Sequence, residues 1–299
     1  MKNNILQRAG MLITLLFLIS ASAWSADTLK PFELVSNEAA DFSGAVDTTK
    51  NKLQSGGFTL AGEYSPYDGA HVFVVTNDEL QAAAAKSDFG GYGSVIRVAV
   101  TKNADNVEVS YSNPMYWSNA FRIPADLTAV AEKMTATLGK GEPFGSEKGL
   151  TAEKLKKYHY KMLMPYFDDP ETLGKFDSFA DAMEKINKNL AAGTSGITKV
   201  FEVKIPGKDQ ALIGVAMSEG AAADKTIMEK IDVHGTRHTA HLPYAILVSG
   251  KTAYALNGKF RIALSFPDLS MMGSGSFLSL IHISEPTRPV GISRMPSSA

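Results

Sequence analysis

The stretch with the densest set of chemically active residues is Tyr158–Asp169. It places the imidazole of His159 close to the thioethers of Met162 and Met164. Imidazole and thioether groups suit Cu(I), so these three side chains form a candidate copper site. Pro165 favours an extended chain before it. In an extended chain His159 and Met162 face opposite ways, whereas Met162 and Met164 share a face.

The same stretch also has an interpretation without metal. Methionine fills irregular gaps in protein cores, so an aromatic and Met-rich segment also predicts packing between two halves of a molecule. Met271 and Met272 would add thioethers to the copper site from a neighbouring loop. Both interpretations stay open at the level of sequence.

Carboxylates in this stretch suggest acid–base chemistry. Asp168 and Asp169 are adjacent, and a carboxylate with a histidine can divide the roles of general acid and general base. Two aspartates before a proline are also typical of a turn. A cofactor-free enzyme with a His/Asp site is therefore one hypothesis, and Arg122 and Arg261 are predicted either to be buried partners of the carboxylates or to be surface charges.

A second group of histidines lies nearer the C-terminus. His234, His238 and His241 have spacings that would suit a metal on a helix. Gly235 and the following strand pattern argue against a helix, and in an extended chain residues 238 and 241 point to opposite faces. A polar loop beside a strand is the favoured interpretation.

The common catalytic motifs are absent from the sequence. Gly250-Lys251-Thr252 resembles the end of a phosphate-binding loop, but its first glycine is missing and the tripeptide lies in a predicted hairpin. The sequence contains no G-x-S-x-G, HExxH or EF-hand pattern. The 299 residues include no cysteine, which excludes disulfides and thiolate metal sites. With 30 basic and 31 acidic residues, the chain also lacks the charge of a nucleic-acid binder.

Aromatic residues cluster around a predicted strand end at Asn113. Tyr116 and Trp117 follow it, and such rings either pack a core or line the rim of a small-molecule cleft. We predict a ligand-binding set at a cleft between two repeats. Its members are Tyr116, Trp117, His159, Tyr166 and Asp168.

The hydrophobic periodicity predicts the elements that must position these residues. A strand at 31–35, a helix at 46–54, strands at 58–63 and 71–75, a second helix and a hairpin (94–101 with 107–112) are followed later by a similar order. The second copy has a helix after Asp177-Ser178, strands at 197–205 and 211–217, a helix at 220–231, and a hairpin that joins 244–249 to 259–265. Leu53 matches Leu190 and Pro114 matches Pro267. We therefore predict an α+β fold of two tandem split-βαβ (ferredoxin-like-related) repeats.

The predicted repeats span residues 24–122 and 176–277, with a helical linker over 123–175. Residues 1–23 are typical of a secretory signal peptide, because Lys2 and Arg8 precede an apolar run and a small-residue site at Ala21–Ala23. Residues 278–299 begin with LSLIHISEPTR, which resembles a translated sequencing adapter. We expect these last residues to be an artefact that truncates the natural chain near Phe277.

Short motifs in both halves resemble a known family. The first half has GGF (56–58), VIRVAV (95–100) and SNP (112–114), which are similar to the domain-of-unknown-function family three-hundred-and-two. The second half has YHYKMLMPYFDDP (158–170), TAHLPYAILV (239–248) and FRIALSFPDLSMMGSGSF (260–277), which resemble a set of exported proteobacterial proteins. The resemblance covers nearly all of the chain between the two ends. It implies a secreted α+β protein and supplies no catalytic residues.

The sequence thus favours a periplasmic or secreted protein that is a non-catalytic binding or interaction module. Its partner is a small molecule or a protein, with no nucleic acid and no membrane insertion after signal removal. The alternatives are a periplasmic copper-binding protein that uses His159, Met162 and Met164, and the cofactor-free enzyme. Copper is the one cofactor considered.

Overall fold

A computed structural model describes residues 27–232 and 235–270. The fold is α+β, as predicted. The first half contains β1 (Thr28–Leu29), β2 (Phe32–Glu38), α1 (Phe42–Ser55), β3 (Thr59–Tyr64), β4 (Ala70–Thr76), α2 (Asp78–Ala84), β5 (Ile96–Asn103), β6 (Asn106–Ser112) and α3 (Pro114–Ala120). The connecting segment contains α4 (Thr128–Leu138), β7 (Glu142–Phe144), β8 (Leu150–Thr151) and α5 (Ala152–Lys156).

The second half follows a similar order. It contains β9 (Glu171–Lys175), α6 (Phe179–Ala191), β10 (Ile197–Lys204), β11 (Gln210–Met217), α7 (Asp224–Ile231), β12 (Tyr244–Ser249), β13 (Thr252–Ala255) and α8 (Gly258–Ser265). Short 3-10 turns lie at Gly90–Gly93, Thr194–Gly196 and Thr239–His241. No helix within the described residues is long and apolar enough to cross a membrane.

The two halves form sheets with the same strand order. The first sheet runs β3-β4-β5-β6-β2-β7 and the second runs β10-β11-β12-β13-β9, with antiparallel pairing throughout. Both carry a β-bulge near the start of the edge strand, after Leu60 in β3 and after Lys199 in β10. The shared strand order gives the two halves one topology.

That topology differs from a split-βαβ unit. The strands before and after the first helix, β2 and β3, are separated by β4, β5 and β6, whereas a split-βαβ unit places one strand between them. The predicted linker also departs from the expectation, because it supplies strands as well as helices. Strand β7 extends the first sheet, and β9, predicted as linker, is the edge of the second.

The last predicted strand, 259–265, is wrong. Strand β12 pairs with β13 through a tight turn in which Ser249 opposes Thr252, and residues 258–265 form helix α8. The side chain of Asn257 caps this helix by accepting a hydrogen bond from the Lys259 N–H. Asn113 caps α3 in the same way. The matching residues of the two halves are therefore Asn113 and Asn257, and not Pro114 and Pro267.

The two halves dock reciprocally through their 3-10 turns. The turn Gly90–Gly93 packs against β11 and β12, where the Gly91 N–H donates to Oε1 of Gln210 (3.0 Å). The turn Thr239–His241 packs against β5, where Thr101 Oγ1 donates to Thr239 Oγ1 (2.8 Å). A main core extends across both halves, and a smaller apolar cluster lies between α6 and the second sheet. The candidate site lies beside this junction.

Candidate functional site

A cavity lies at one end of the second sheet. It is lined by the first residues of β12 and α8 (Tyr244 and Gly258) and by the last residues of β11 and β13 (Met217 and Ala255). The first half closes it with Tyr92, Arg97, Trp117 and Phe121. The cavity has a water-accessible volume of about 70 Å³. Since one water needs roughly 10–15 Å³ of such volume, the cavity has room for several waters or one small molecule.

The wall of the cavity is mainly apolar, with a few polar groups. Its apolar side chains include Phe121, Leu173, Ile197, Val215, Ile246 and Leu256. Cavities of this composition are typical binding sites for small organic molecules, in which a small number of polar groups orient the ligand. The polar groups here are unusual because several of them are buried and unpartnered.

Arg97 is the first of these groups. It lies in β5, within an otherwise apolar strand, and its side chain is buried although its backbone N–H is satisfied by Oγ of Ser112 (3.0 Å). Its Nε has no hydrogen-bond partner among the described residues. Burial, and then the charge of Arg261, lower the Arg97 pKa to about 9.

Arg261 is the second buried cation. Helix α8 positions it so that Nη2 donates to the backbone carbonyls of His241 (2.6 Å) and Pro243 (3.3 Å). The guanidinium carbon lies 3.3 Å from the centre of the Tyr244 ring, a stacking contact of the cation–π kind. Its Nη1 has no hydrogen-bond partner in the described part of the chain, and burial lowers its pKa. The guanidinium is therefore held in place with one edge unused.

His241 adds a neutral polar group. Its side chain is buried, and Nδ1 is hydrogen-bonded to Oγ of Ser265 (2.6 Å). Nε2 has no partner among the residues described. Burial, followed by the charges of Arg261 and Arg97, holds the His241 pKa well below its usual range, so the ring is uncharged near neutral pH.

Two tyrosines complete the polar part of the wall. The hydroxyls of Tyr92 and Tyr244 are buried and make no hydrogen bond within the described residues. Burial raises the pKa of both phenols, so both keep their protons. Native proteins leave few buried polar groups unpaired, and five such groups around one cavity indicate a place where a ligand supplies the partners.

Carboxylates do not neutralise the two arginines. Neither Arg97 nor Arg261 forms an ion pair among the described residues. Glu171 lines the cavity and accepts a hydrogen bond from Nδ2 of Asn257 (3.2 Å). Asp224 influences Arg261 from outside the lining, and its Oδ2 accepts from the Tyr64 hydroxyl (3.0 Å). Two guanidinium groups therefore face a single carboxylate in the wall.

Of the predicted binding residues, Trp117 lines this cavity. Its indole N–H donates to the carbonyl of Pro31 (2.8 Å), so it forms part of a rigid wall. Tyr116 does not line the cavity; it is fully buried in the main core and its hydroxyl donates to the carbonyl of Leu264 (2.8 Å). These adjacent residues of α3 thus belong to different regions, Trp117 to the cavity wall and Tyr116 to the main core.

The other predicted binding residues lie away from the cavity. His159 and Tyr166 are together, with ring centres 4.4 Å apart, in the loop that follows α5. Asp168 forms an ion pair with Arg122 (2.8 Å), and the Arg122 side chain is partly exposed. Arg122 is thus a partner of Asp168 at the surface and not a buried one, whereas Arg261 is buried in the cavity wall and forms no ion pair among the described residues.

The candidate copper ligands are spread between solvent and core. The Met162 side chain is 84% exposed, whereas Met164 packs against the main core, and Nδ1 of His159 is hydrogen-bonded to the backbone carbonyl of Lys161 (2.8 Å). Met271 and Met272 lie outside the described residues. Within those residues no three His, Cys, Asp or Glu side chains are grouped as metal ligands.

The histidine group near the C-terminus is divided as well. His238 pairs with Asp232 (2.9 Å), whereas His241 points into the cavity region, and His234 lies outside the described residues. No α-helix joins His238 to His241, but the chain is not the extended polar loop that was predicted, because Thr239–His241 forms a 3-10 turn and His241 is buried.

Sequence reasoning missed most of the cavity. The sequence patterns do not single out Arg97, Tyr92 or Tyr244, and they assign His241 either to a metal site or to a polar loop. One signal was available, because Arg97 is the single charge in the apolar run VIRVAV. A lone arginine in a strand that is buried on both faces is an uncommon residue that calls for a partner.

Comparison of the chain with protein-family models, with curated proteins and with solved structures finds no match. The resemblance drawn from its motifs therefore stays a prediction.

Proposed function

We propose that this protein is an exported, non-catalytic binding protein that holds a small molecule in the cavity between its two halves. The observation that carries the proposal is the cavity itself, which has an apolar wall and a small set of fixed polar groups. This combination of shape and composition is the usual one for a ligand site. Export rests on the signal-like residues 1–23, and these lie outside the described part of the chain.

Binding is favoured over catalysis by the roles of the polar groups. A hydrolytic site needs a nucleophile and a base that both reach the substrate. Ser265 is hydrogen-bonded to His241, but it is not among the residues that line the cavity. The polar lining groups are arginines, tyrosines with raised pKa and a neutral histidine, which can donate hydrogen bonds and orient a ligand, together with Glu171, whose Oε1 accepts from Asn257.

The test is a variant that fills the cavity. Ala255 lies in the wall, two residues before the cap Asn257; two residues before the equivalent cap Asn113 the first half has Tyr111. A large ring at this register position is therefore compatible with the sheet. Ala255→Phe should occupy the space that a ligand needs, and Ala191→Phe, at an exposed helix end, is the matched control.

Wild type and both variants would be isolated from the exported fraction and compared by native mass spectrometry and by ligand-detected NMR with a library of small organic molecules. We expect wild type and Ala191→Phe to bind the same molecules and Ala255→Phe to lose them. Binding that survives in Ala255→Phe would place the site elsewhere. A wild-type protein that carries and binds none of the molecules would overturn the proposal.

A further inference from the structure

The unpartnered groups of the cavity share one property beyond the proposed function. Arg97, Arg261, His241 and Tyr92 are each more than nine-tenths buried, and each has a polar atom without a partner in the described residues. Arginine has only donors, and tyrosine with its proton retained offers one as well. The site therefore presents donors that lack an acceptor.

The charges around the cavity point to one negative charge on the ligand. Arg97 and Arg261 contribute two positive charges to the wall, His241 is neutral, and Glu171 contributes one negative charge. Asp224 lies outside the wall; its Oδ2 accepts from Tyr64 and from the Met217 N–H, its Oδ1 has no partner among the described residues, and its charge acts on Arg261 from there. Buried charges in proteins are normally paired, and among the groups that line the wall one positive charge is left over.

The rest of the wall selects the body of the ligand. Phe121, Leu173 and Ile246 present hydrocarbon, and the space suits one small molecule. A carboxylate matches the planar fork of arginine through two parallel hydrogen bonds. When Ser265 donates to Nδ1 of His241, the proton of the neutral ring is on Nε2. This N–H can then donate a hydrogen bond to the anion.

We infer that the ligand is a small monocarboxylate with an apolar body, whose carboxylate accepts hydrogen bonds from Arg97, Arg261 and His241. This inference rests on the proposed function, because it names the chemical class that the proposed site takes. The apolar body lies against the aliphatic and aromatic wall. A neutral molecule of the same shape leaves both arginines unpaired and binds more weakly.

The experiment compares matched probes by calorimetry on the full chain. Benzoate and hexanoate are the carboxylates, benzamide and hexanamide are their neutral counterparts, and inorganic phosphate is an anion without an apolar body. We expect wild type to bind at least one of the carboxylates about tenfold or more tightly than its amide, in line with the greater strength of charge-assisted hydrogen bonds. Phosphate should not compete with the carboxylate.

The variants are Arg97→Met and Arg261→Lys, with Arg122→Gln as a control that removes an arginine outside the cavity lining. Arg97→Met should lower carboxylate affinity about tenfold while amide affinity changes less than about twofold. Arg261→Lys keeps the charge but loses the fork, and should lower carboxylate affinity as well. Arg122→Gln should bind as wild type does. Circular dichroism checks that each variant is folded, and the two arginine variants test the inference independently.

Each contrary result has its own meaning. Equal affinity for carboxylate and amide would overturn the inference and leave the proposed function standing, and so would equal losses in Arg97→Met and Arg122→Gln. If phosphate alone competed for the site, the inference that the ligand has an apolar body would be wrong. Failure of every probe and of the broader library would overturn the proposed function along with it.

Discussion

The same end of the sheet is filled in the first half of the molecule and open in the second. Counted from the helix caps Asn113 and Asn257, Trp117 occupies the position that Arg261 has in the second half, and Tyr111 occupies that of Ala255. The first half thus places large rings where the second has a small side chain and a cation. One topology therefore holds a packed core in one half and a cavity in the other.

The asparagine helix cap at this end and the glutamate that it contacts, called the frame below, are common to both halves. In the first, Nδ2 of Asn113 donates to Oε1 of Glu33 (2.9 Å), and in the second, Nδ2 of Asn257 donates to Oε1 of Glu171 (3.2 Å). Each asparagine also caps the helix that follows, so it fixes the helix to the first strand of its sheet. The difference between the halves therefore lies in the side chains between cap and sheet and not in the backbone that holds them.

The largest predicted effect separates a buried ring from a buried cation at matched positions. Trp117 packs with ring centres 6.2 Å from Phe32 and 5.5 Å from Phe121, so Trp117→Ala should lower the free energy of unfolding by about 3–5 kcal/mol. Arg261→Met keeps the volume but loses two bonds to carbonyls and removes a poorly compensated charge, and should change it by less than about 2 kcal/mol. Urea denaturation measures both. Equal losses in the free energy of unfolding would mean that the two positions contribute equally to stability.

A second prediction has the opposite sign. Arg97 is a buried cation without an ion-pair partner in the described residues, and the hydrogen bond to Ser112 comes from its backbone. Arg97→Met should therefore raise the free energy of unfolding of the ligand-free protein by about 1–3 kcal/mol. The surface variant Arg122→Met should stay within about 1 kcal/mol of wild type. A destabilised Arg97→Met protein would show that the arginine has a structural role and would weaken the contrast between the halves.

The third prediction concerns the carboxylate of the filled half. Burial raises the pKa of Glu33 to about 7 from its ordinary value of 4.5, with Lys30 acting in the opposite direction. The folded state then binds this proton more tightly than the unfolded chain between pH 4.5 and 7, so the contribution of Glu33 to stability falls as the pH rises through that window. Glu33→Gln cannot ionise and still accepts from Asn113.

We therefore expect Glu33→Gln to match wild type at pH 4 and to be more stable by about 1–2 kcal/mol at pH 8, an amount reduced because the carboxyl is partly exposed. Urea denaturation at the two pH values measures the difference. Glu38→Gln, on the exposed end of the same strand, is the control. A Glu33→Gln protein that is less stable at pH 8 would show that the carboxylate is a structural anion.

Most of the fold could be predicted from the sequence, and most of the site could not. The Asn77 cap of α2, the buried face of α6 and the hairpin of β5 with β6 follow from local patterns. The prediction of a strand at 259–265 failed because Phe260, Ile262 and Leu264 alternate as they would in a strand. The N-cap of the helix, Asn257, falls in the loop of the predicted hairpin. Local alternation therefore outweighed a capping signal that was present.

The site was missed for a different reason. Arg97 and His241 become neighbours of one cavity only because each half places a 3-10 turn on the sheet of the other. The burial that makes these groups unusual arises from this docking, which no local pattern encodes. Trp117 was selected for its place at a strand end, and that place is part of the fold that the sequence does indicate.

The smallest predicted effect tests whether the frame is indeed shared. Asn113→Ala and Asn257→Ala each remove a helix cap and the hydrogen bond to the glutamate of the first strand. Each should cost about 1 kcal/mol or slightly more, and the two costs should agree within about 0.5 kcal/mol. Ser178→Ala removes the cap of α6, which has no such glutamate contact, and should cost less than either. If the asparagine variants differ widely in urea denaturation, the cap in one half depends on more than the frame, and the cavity side chains around Arg261 are the place where that dependence would arise.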